Sequence, residues 1–239
     1  MLKVGLLGAG RIAGVHATAI SSNPGSMLVA VSDYIAESAE KLATEYGCTA
    51  RSTEEILSDP EIDAVLIATS TDTHSDLIEA ATAAGKAVLC EKPVDLSLER
   101  ARACQAVAAT NGKPVMIGFN RRFDPNFGAL KSALDAGEIG KAELLSITSF
   151  DPAPPPLAYV KVSGGLFRDM MIHDLDVLLM LMGAEPEEIH ANAVCVVGEA
   201  EDVCNARLTF PPDKHGFRCV ANVTASRLAM KTERKMRLI

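Results

Sequence analysis

Short apolar runs alternate with helical patterns through the first half of the sequence, and this alternation restricts the fold more than any other feature. The runs read LKVGLL, MLVAVS, DAVLIAT, KAVLC and PVMIGF, and helices are predicted between them from about 11, over 36–46, over 74–84 and over 97–110. Continuous apolar strands separated by helices are typical of a parallel sheet covered on both faces. Residues 1–118 are therefore predicted to form a doubly wound α/β domain.

The pattern changes after residue 118. Helices are predicted near 125–136 and over 165–182, and the remaining apolar runs, EIHANAVCVV, CNARLTF, RCVANVTAS and KMRLI, follow one another with turn residues between them. Strands that follow strands in this way predict an antiparallel sheet. Residues 119–239 are therefore predicted to form a second domain of the α+β class with a mostly antiparallel sheet.

The charge balance argues against several classes of partner. The formal net charge is −8, whereas binding to a nucleic-acid backbone or an anionic membrane surface favours a basic face. A local basic cluster near the end of the chain is predicted to be the solvated face of a strand. Its members are Arg227, Lys231, Arg234, Lys235 and Arg237.

Cysteine and apolar patterns bear on the compartment. The six cysteines form no CxxC pair and no His cluster has ligand spacing, so they are interpreted as ordinary buried thiols in a reducing compartment and no metal site is predicted. The first ten residues enter structure directly, without a leader pattern. No apolar run approaches the roughly 20 residues that span a bilayer, and a cytoplasmic location is expected.

The first apolar run leads into GAGRIAG, which contains Gly8, Gly10 and Ala13. After a strand and at the start of a helix, Gly8 permits a tight turn, Gly10 lets backbone approach a pyrophosphate, and Ala13 allows close helix packing. The helix N-terminus adds free N–H groups and a favourable dipole for the phosphates. The motif in this context predicts dinucleotide binding rather than an incidental turn.

The second apolar run ends at Asp33. A carboxylate at this strand end accepts hydrogen bonds from the ribose hydroxyls of adenosine and repels a 2′-phosphate. The next residue is Tyr34 rather than an arginine. NAD is therefore predicted as the cofactor in preference to NADP.

Two later strand ends also carry polar residues. His74 follows DAVLIAT in the first turn of a predicted helix and is interpreted either as a cofactor-pocket residue or as a plain helix-start residue. Glu91 and Lys92 follow KAVLC in CEKP. A lysine there can hold a substrate hydroxyl and stabilise developing alkoxide charge, and the alternative is a surface ion pair.

The run FRDMMIHDLD places Asp169, His173 and Asp176 in an apolar segment. On a helix, steps of four and three residues keep side chains on one face. Two interpretations stand: a buried helix with one chemically equipped ridge, or a helix edge whose charges meet water.

GAGRIAG, ATSTDTH, CEKP, GFNRRFDP and GGLFRDMMIHDLD occur in this order. Together they resemble, over about the first 200 residues, the glucose-fructose oxidoreductase / inositol dehydrogenase / rhizopine-catabolism (Gfo/Idh/MocA) family of nicotinamide-dependent sugar oxidoreductases. The likeness is strongest to its inositol 2-dehydrogenases. The resemblance implies NAD-dependent oxidation of a ring hydroxyl of a cyclitol or sugar to a ketone, with myo-inositol as the expected substrate. It also implies a homotetramer that associates through the open face of the second sheet.

The resemblance also assigns residues. It implies that His173 takes the hydroxyl proton, that Asp169 orients His173 or binds a neighbouring hydroxyl, and that Lys92 holds the reacting oxygen. The implied substrate contacts are Arg121, Asp151 and Asp176. The implied cofactor contacts are Gly8, Gly10, Arg11, Ile12, Asp33, Thr69, His74, Glu91 and Asn120.

The sequence departs from the family pattern near its end. SRLAMKTERKMRLI contains no aromatic residue, whereas inositol dehydrogenases carry a tyrosine-bearing segment there, and this region resembles nucleotide-sugar oxidoreductases of the same superfamily. The last strands of typical members are absent, so the second sheet is expected to be incomplete. A nucleotide-sugar or other sugar dehydrogenase, and a non-catalytic NAD-binding sensor or truncated relic, remain alternatives.

Overall fold

The structure is a computed structural model that describes residues 1–160, 163–213 and 216–239. These residues form two compact units, Met1–Gly118 and Phe119–Ile239. The strands are β1 Leu2–Leu7, β2 Ser26–Ser32, β3 Thr49–Ala50, β4 Ala64–Ile67, β5 Ala87–Cys90, β6 Val115–Ile117, β7 Leu144–Phe150, β8 Glu188–Val194, β9 Val203–Thr209, β10 Val220–Ser226 and β11 Glu233–Leu238. The α-helices are α1 Arg11–Ser22, α2 Ala36–Tyr46, α3 Thr53–Ser58, α4 His74–Ala83, α5 Leu98–Asn111, α6 Pro125–Asp135, α7 Leu157–Val160 and α8 Ile172–Met182.

The first unit is a six-stranded parallel sheet with the order β3-β2-β1-β4-β5-β6. The chain crosses back between β1 and β4, which makes this the switch point of a doubly wound fold. Ligands of such sheets bind outside the carboxyl ends of the strands at that point. The predicted fold class of this part of the chain is confirmed.

Both faces of the first sheet are buried, as the continuous apolar runs predicted. Neighbouring side chains of β1 point in opposite directions, so Leu6 packs into one core with α1 and α2 while Leu7 packs into another with α4 and α5. Both leucines are fully buried, and each burial contributes about 1.5–3 kcal/mol. This packing holds the loops at the carboxyl ends of β1, β2, β4 and β5 on a rigid base.

The second unit contains a five-stranded sheet with the order β11-β7-β10-β9-β8. Only β7 and β10 pair in parallel, and the other neighbours are antiparallel. The predicted mostly antiparallel sheet is confirmed. One face packs against α8 and the turn before it in a core that includes Leu145, Val223, Met171 and Leu178.

The C-terminal basic cluster was predicted to be exposed to solvent, and this prediction is wrong for Arg227. Arg227, which directly follows β10, is only 2% exposed. Alternation along β11 places Arg234 on the α8 side of the sheet, whereas Lys235 and Arg237 lie on the exposed side. The cluster is therefore divided between the two faces by the period of the strand.

The predicted single helix over 165–182 is two pieces. A π-helical turn, Phe167–Met171, precedes α8, which begins at Ile172. Gly164 and Gly165, with φ of 79° and 86°, lie just before it in left-handed conformations. A π-turn contains an extra residue, so side chains before and after it do not follow the regular helical spacing. Asp169 lies inside the π-turn, so the regular helical step expected from Asp169 to His173 is wrong, whereas His173 and Asp176 both lie in α8 with the expected spacing of three residues.

The cysteines differ from one another in exposure. Cys90, Cys104, Cys204 and Cys219 are buried, which matches the interpretation as ordinary thiols, and burial raises the pKa of Cys204 to about 11. Cys195 is exposed, contrary to that interpretation. All six are free thiols.

The described part of the chain contains neither a helix able to span a membrane nor a cluster of metal-ligating side chains. None of its helices is both long and apolar enough to cross a membrane. Nowhere in residues 1–160, 163–213 and 216–239 do three or more His, Cys, Asp or Glu side chains gather closely enough to hold a metal ion.

Candidate active site

The loop after β1 has the geometry of a phosphate-binding turn. Gly8 has a φ of 104°, and a Cβ added to it would lie 2.5 Å from the carbonyl oxygen of Ala68. A side chain at Gly8 is therefore excluded by both conformation and space. A Cβ at Gly10 would meet nothing within 4 Å, so the surface beside the start of α1 at Arg11 is open to a ligand.

The Asp33 carboxylate is fastened by two backbone amides. Its Oδ2 accepts from the Ala9 N–H at 2.6 Å, and its Oδ1 accepts from the Ile35 N–H at 2.8 Å. Each carboxylate oxygen keeps further lone-pair capacity. Asp33, which is predicted to bind the ribose hydroxyls, is thus held against the loop that is predicted to bind the phosphates.

A cavity of about 330 Å³ opens between α1 and α2 next to this loop. It is lined in part by Gly10, Arg11, Lys41 and Glu45, so two cations and one carboxylate face a space beside the glycine turn. A larger cavity of about 570 Å³ lies along α5 and β6. That cavity is lined by none of the predicted site residues. The smaller cavity is lined by Gly10 and Arg11, so the candidate cofactor site is placed there.

The loop after β4 contains Thr69 and leads into His74, the first residue of α4. The Thr69 hydroxyl hydrogen-bonds the Thr73 hydroxyl at 2.7 Å. His74 is 1% exposed, with Nδ1 at 2.7 Å from the Pro93 carbonyl oxygen and Nε2 at 3.2 Å from that of Thr69. His74 begins α4 as expected and joins the loops after β4 and β5, and its contact with a cofactor stays a prediction.

The CEKP turn follows β5 and begins with Cys90 and Glu91. Oε1 of Glu91 accepts from Nε2 of His16 on α1 at 2.7 Å, and Oε2 of Glu91 lies 3.3 Å from the Lys92 amide nitrogen. Burial acts to raise the pKa of Glu91, but the hydrogen bonds from His16 and the Lys92 amide and the nearby positive charge prevail and lower it. Glu91 is therefore a carboxylate at neutral pH.

In the second unit, the π-helical turn positions Asp169. Its Oδ1 accepts a hydrogen bond from the Tyr159 hydroxyl at 2.8 Å. His173 follows at the start of α8, and both Asp169 and His173 are half-buried. Partial burial of an acid and an imidazole suits groups that bind substrate or exchange a proton, while their catalytic roles stay predictions.

Arg121 and Arg122 hold α8 through two carboxylates. Arg121 forms an ion pair with Asp174, which is fully buried and also accepts from the Ser149 hydroxyl at 2.9 Å. Burial raises the pKa of Asp174, and the charge of Arg121 opposes that rise. Arg122 binds both oxygens of Asp176 at 2.7 to 2.9 Å.

These contacts bear on the predicted substrate contacts. Asp176 is buried and engaged by Arg122, so the interpretation as a water-exposed helix edge is wrong. Asp151 pairs with Arg234 through Nη2 at 2.8 and 3.0 Å. Contact of substrate with Arg121, Asp151 or Asp176 stays a prediction, as does contact of cofactor with Ile12 and the exposed Asn120.

The carboxyl edge of the first sheet brings Gly8, Gly10, Asp33, Thr69 and Glu91 onto neighbouring loops, as their positions at strand ends predicted.

The sequence did not indicate the partners of several predicted residues. The missed partners are His16, Arg122, Tyr159, Asp174 and Arg234. Only Asp174 left a local signal, as an acid inside an apolar helix.

Comparison with family models matches almost the whole chain. Residues 2–119 match the GFO/IDH/MocA oxidoreductase family with an NAD-binding Rossmann fold, and residues 127–239 match the GFO/IDH/MocA C-terminal domain.

Individual relatives point to polyol and sugar dehydrogenases. The chain is 51% identical to an inositol 2-dehydrogenase of Rhizobium meliloti (strain 1021) over 199 residues, 83% of this chain and 60% of the relative. It is 34% identical to a UDP-N-acetylglucosamine 3-dehydrogenase of Acidithiobacillus ferrooxidans, over 99% of this chain and 71% of the relative. The structure of scyllo-inositol dehydrogenase from Lactobacillus casei with bound NAD(H) and scyllo-inositol superimposes with a TM-score of 0.85 at 27% identity, covering 100% of this chain and 74% of that one. The chain thus spans less than two thirds of the length of the Rhizobium relative.

Proposed function

Because the chain belongs to the GFO/IDH/MocA oxidoreductase family, we propose that it is an NAD-dependent dehydrogenase that oxidises a ring hydroxyl of a cyclitol or sugar to a ketone. Carbon 2 of myo-inositol is the first position to test. The observation that carries this proposal is the 51% identity to an inositol 2-dehydrogenase over 199 residues. The fixed Asp33 carboxylate and the open surface at Gly10 support it independently.

NAD is proposed in preference to NADP. The Asp33 carboxylate is held by the Ala9 and Ile35 amides, so a 2′-phosphate beside it would place two anions together. Gly10 and Arg11 at the start of α1 would hold the pyrophosphate through backbone N–H groups. The cofactor supplies the acceptor for the hydride that leaves the carbinol carbon.

The chain's own residues are assigned the proton and the charge. As hydride leaves, the hydroxyl must lose its proton, and His173 is proposed as the base because an imidazole exchanges protons near neutral pH. Asp169 is proposed to orient His173 or to bind a neighbouring hydroxyl. Lys92 is proposed to hold the reacting oxygen and stabilise its developing negative charge.

The test follows NADH absorbance with myo-inositol, other cyclitols, glucose and UDP-N-acetylglucosamine. His173→Ala and Asp169→Asn are expected to lose turnover of the best substrate while NAD still binds. Asp135→Asn, which removes an exposed acid from α6, is the matched control and is expected to keep the wild-type rate. Equal rates in wild type and His173→Ala would remove His173 from the mechanism.

A nucleotide-sugar dehydrogenase is the second candidate. The 34% identity to the UDP-N-acetylglucosamine 3-dehydrogenase extends over 99% of this chain, and SRLAMKTERKMRLI lacks the aromatic residues expected of inositol dehydrogenases. Turnover of UDP-N-acetylglucosamine without turnover of any cyclitol would select it. NAD binding without turnover of any substrate would select a non-catalytic NAD-binding sensor.

A homotetramer in the cytoplasm is also proposed. Alternation along the strands gives the side of the second sheet away from α8 a row of polar side chains, which a second sheet can pack against. Light scattering after size exclusion tests the tetramer, and a mass of one chain would reject it.

Six free thiols fit a reducing compartment, and fractionation of the source cells tests the cytoplasmic location.

A further inference from the structure

His16 lies on the helix that opens at the glycine turn. It is one turn after Ile12 on α1, at a spacing that keeps both side chains on one face. The His16 side chain is 20% exposed, and its Nε2 lies 2.7 Å from Oε1 of Glu91. Because the lowered pKa of Glu91 keeps that group ionised, the imidazole N–H is the donor and the carboxylate is the acceptor.

The backbone of Glu91 is held by β4, and its carboxyl group lies beside Gly118 and the Lys92 amide. Its backbone N–H donates to the Ile67 carbonyl of β4, and a Cβ added to Gly118 would lie 3.4 Å from its carboxyl group. Its second oxygen, Oε2, lies 3.3 Å from the amide nitrogen of Lys92. One carboxylate thus joins the phosphate-binding helix to the backbone of the lysine proposed to hold the reacting oxygen.

We propose that His16 is a positioning residue that holds the Glu91 carboxylate in place and, through it, the CEKP turn that carries Lys92. This rests on the proposed function, because it assumes that Lys92 acts on substrate. Without His16 the carboxylate loses the donor on its Oε1 and can turn toward Lys92, whose positive charge already acts on it. A displacement of the order of 1 Å in a catalytic group is enough to reduce turnover by about a hundredfold.

The first measurement needs no substrate. Lys92 is acylated with acetic anhydride at fixed pH, and its modification rate is read by mass spectrometry in wild type, His16→Ala and His16→Gln. The rate is expected to fall about threefold in His16→Ala, because a closer Glu91 carboxylate would hold the ammonium more strongly by about the energy of one partly exposed ion pair. His16→Gln is expected to restore it, because a glutamine amide N–H has a similar reach.

The second measurement separates positioning from stability. In His16→Ala, kcat is expected to fall about ten- to hundredfold while the melting temperature changes little, and His16→Gln should recover most of kcat. Glu61→Ala, which breaks the exposed Lys3–Glu61 pair of the same unit, is the matched control and should change neither quantity.

The outcomes distinguish the two proposals. An unchanged Lys92 acylation rate in His16→Ala overturns the positioning role, whatever the turnover. A lowered melting temperature with unchanged kcat also overturns the positioning role, because His16 would then stabilise the fold without affecting catalysis. If wild type turns over none of the substrates but Lys92 acylation responds to His16 as expected, the proposed function fails and the positioning role stands.

Discussion

Removing the charge of Arg121 should destabilise the second unit by an amount that depends on pH. Asp174 is fully buried and is held by the Arg121 guanidinium and the Ser149 hydroxyl. Arg121→Met keeps an apolar side chain in place of the arginine stem but leaves the carboxylate without its cation. Loss of one partner of a buried pair costs about 3–5 kcal/mol.

Protonation of Asp174 limits that cost. Burial raises the pKa of Asp174 and Arg121 lowers it, so the variant has a still higher folded-state pKa. Holding an aspartate protonated costs about 4 kcal/mol at pH 7 and about 1.5 kcal/mol at pH 5. A group whose pKa is raised on folding contributes stability at low pH that is lost as the pH rises. Because Asp174 of the wild type also has a raised pKa and loses part of this stability itself, the destabilisation relative to wild type is expected to be larger at pH 7 than at pH 5 by at most about 2–3 kcal/mol.

Hydrogen exchange of individual segments is the suitable assay, because two units do not unfold with one free energy. Amides of β7 and β10 report on the second unit, and those of β1 and β4 serve as internal controls. The double variant Arg121→Met, Asp174→Asn removes the carboxylate and should lose most of the pH dependence. The same destabilisation at both pH values, or a double variant that keeps the full pH-dependent loss, would refute the reasoning.

Three other variants test separate contacts. Asp33→Ser should weaken NAD binding by about ten- to hundredfold and NADP binding less, measured by fluorescence titration; an unchanged ratio of the two Kd values contradicts the assignment of Asp33. Lys86→Met leaves the carbonyls of Asp59 and Ile62 without their buried donor, and hydrogen exchange should show a loss of about 1–3 kcal/mol in the first unit. Ser52→Ala breaks the capping box with Glu55 at the start of α3 and should reduce stability by about 1 kcal/mol, whereas an equal loss in Ser52→Thr would argue against capping as the cause.

The sequence by itself determined the fold class and the nucleotide-binding end of the molecule. Continuous apolar runs separated by helical patterns admit few arrangements other than a covered parallel sheet, because each strand must bury both faces. Residues at strand ends then gather at one edge, so the placement of Gly8, Gly10, Asp33 and Glu91 on neighbouring loops was predictable from their positions in the sequence. The helix predicted over 36–46 matches α2, because helical spacing is a local signal in the sequence.

Only the tertiary structure decided which charges meet. Arg121 lies 53 residues from Asp174, Arg122 lies 54 from Asp176, and His16 lies 75 from Glu91. Such pairs arise because packed elements bring distant residues together, and no local spacing encodes them. The π-helical turn at Phe167–Met171 likewise escaped prediction, because its extra residue has no periodic signature in the sequence.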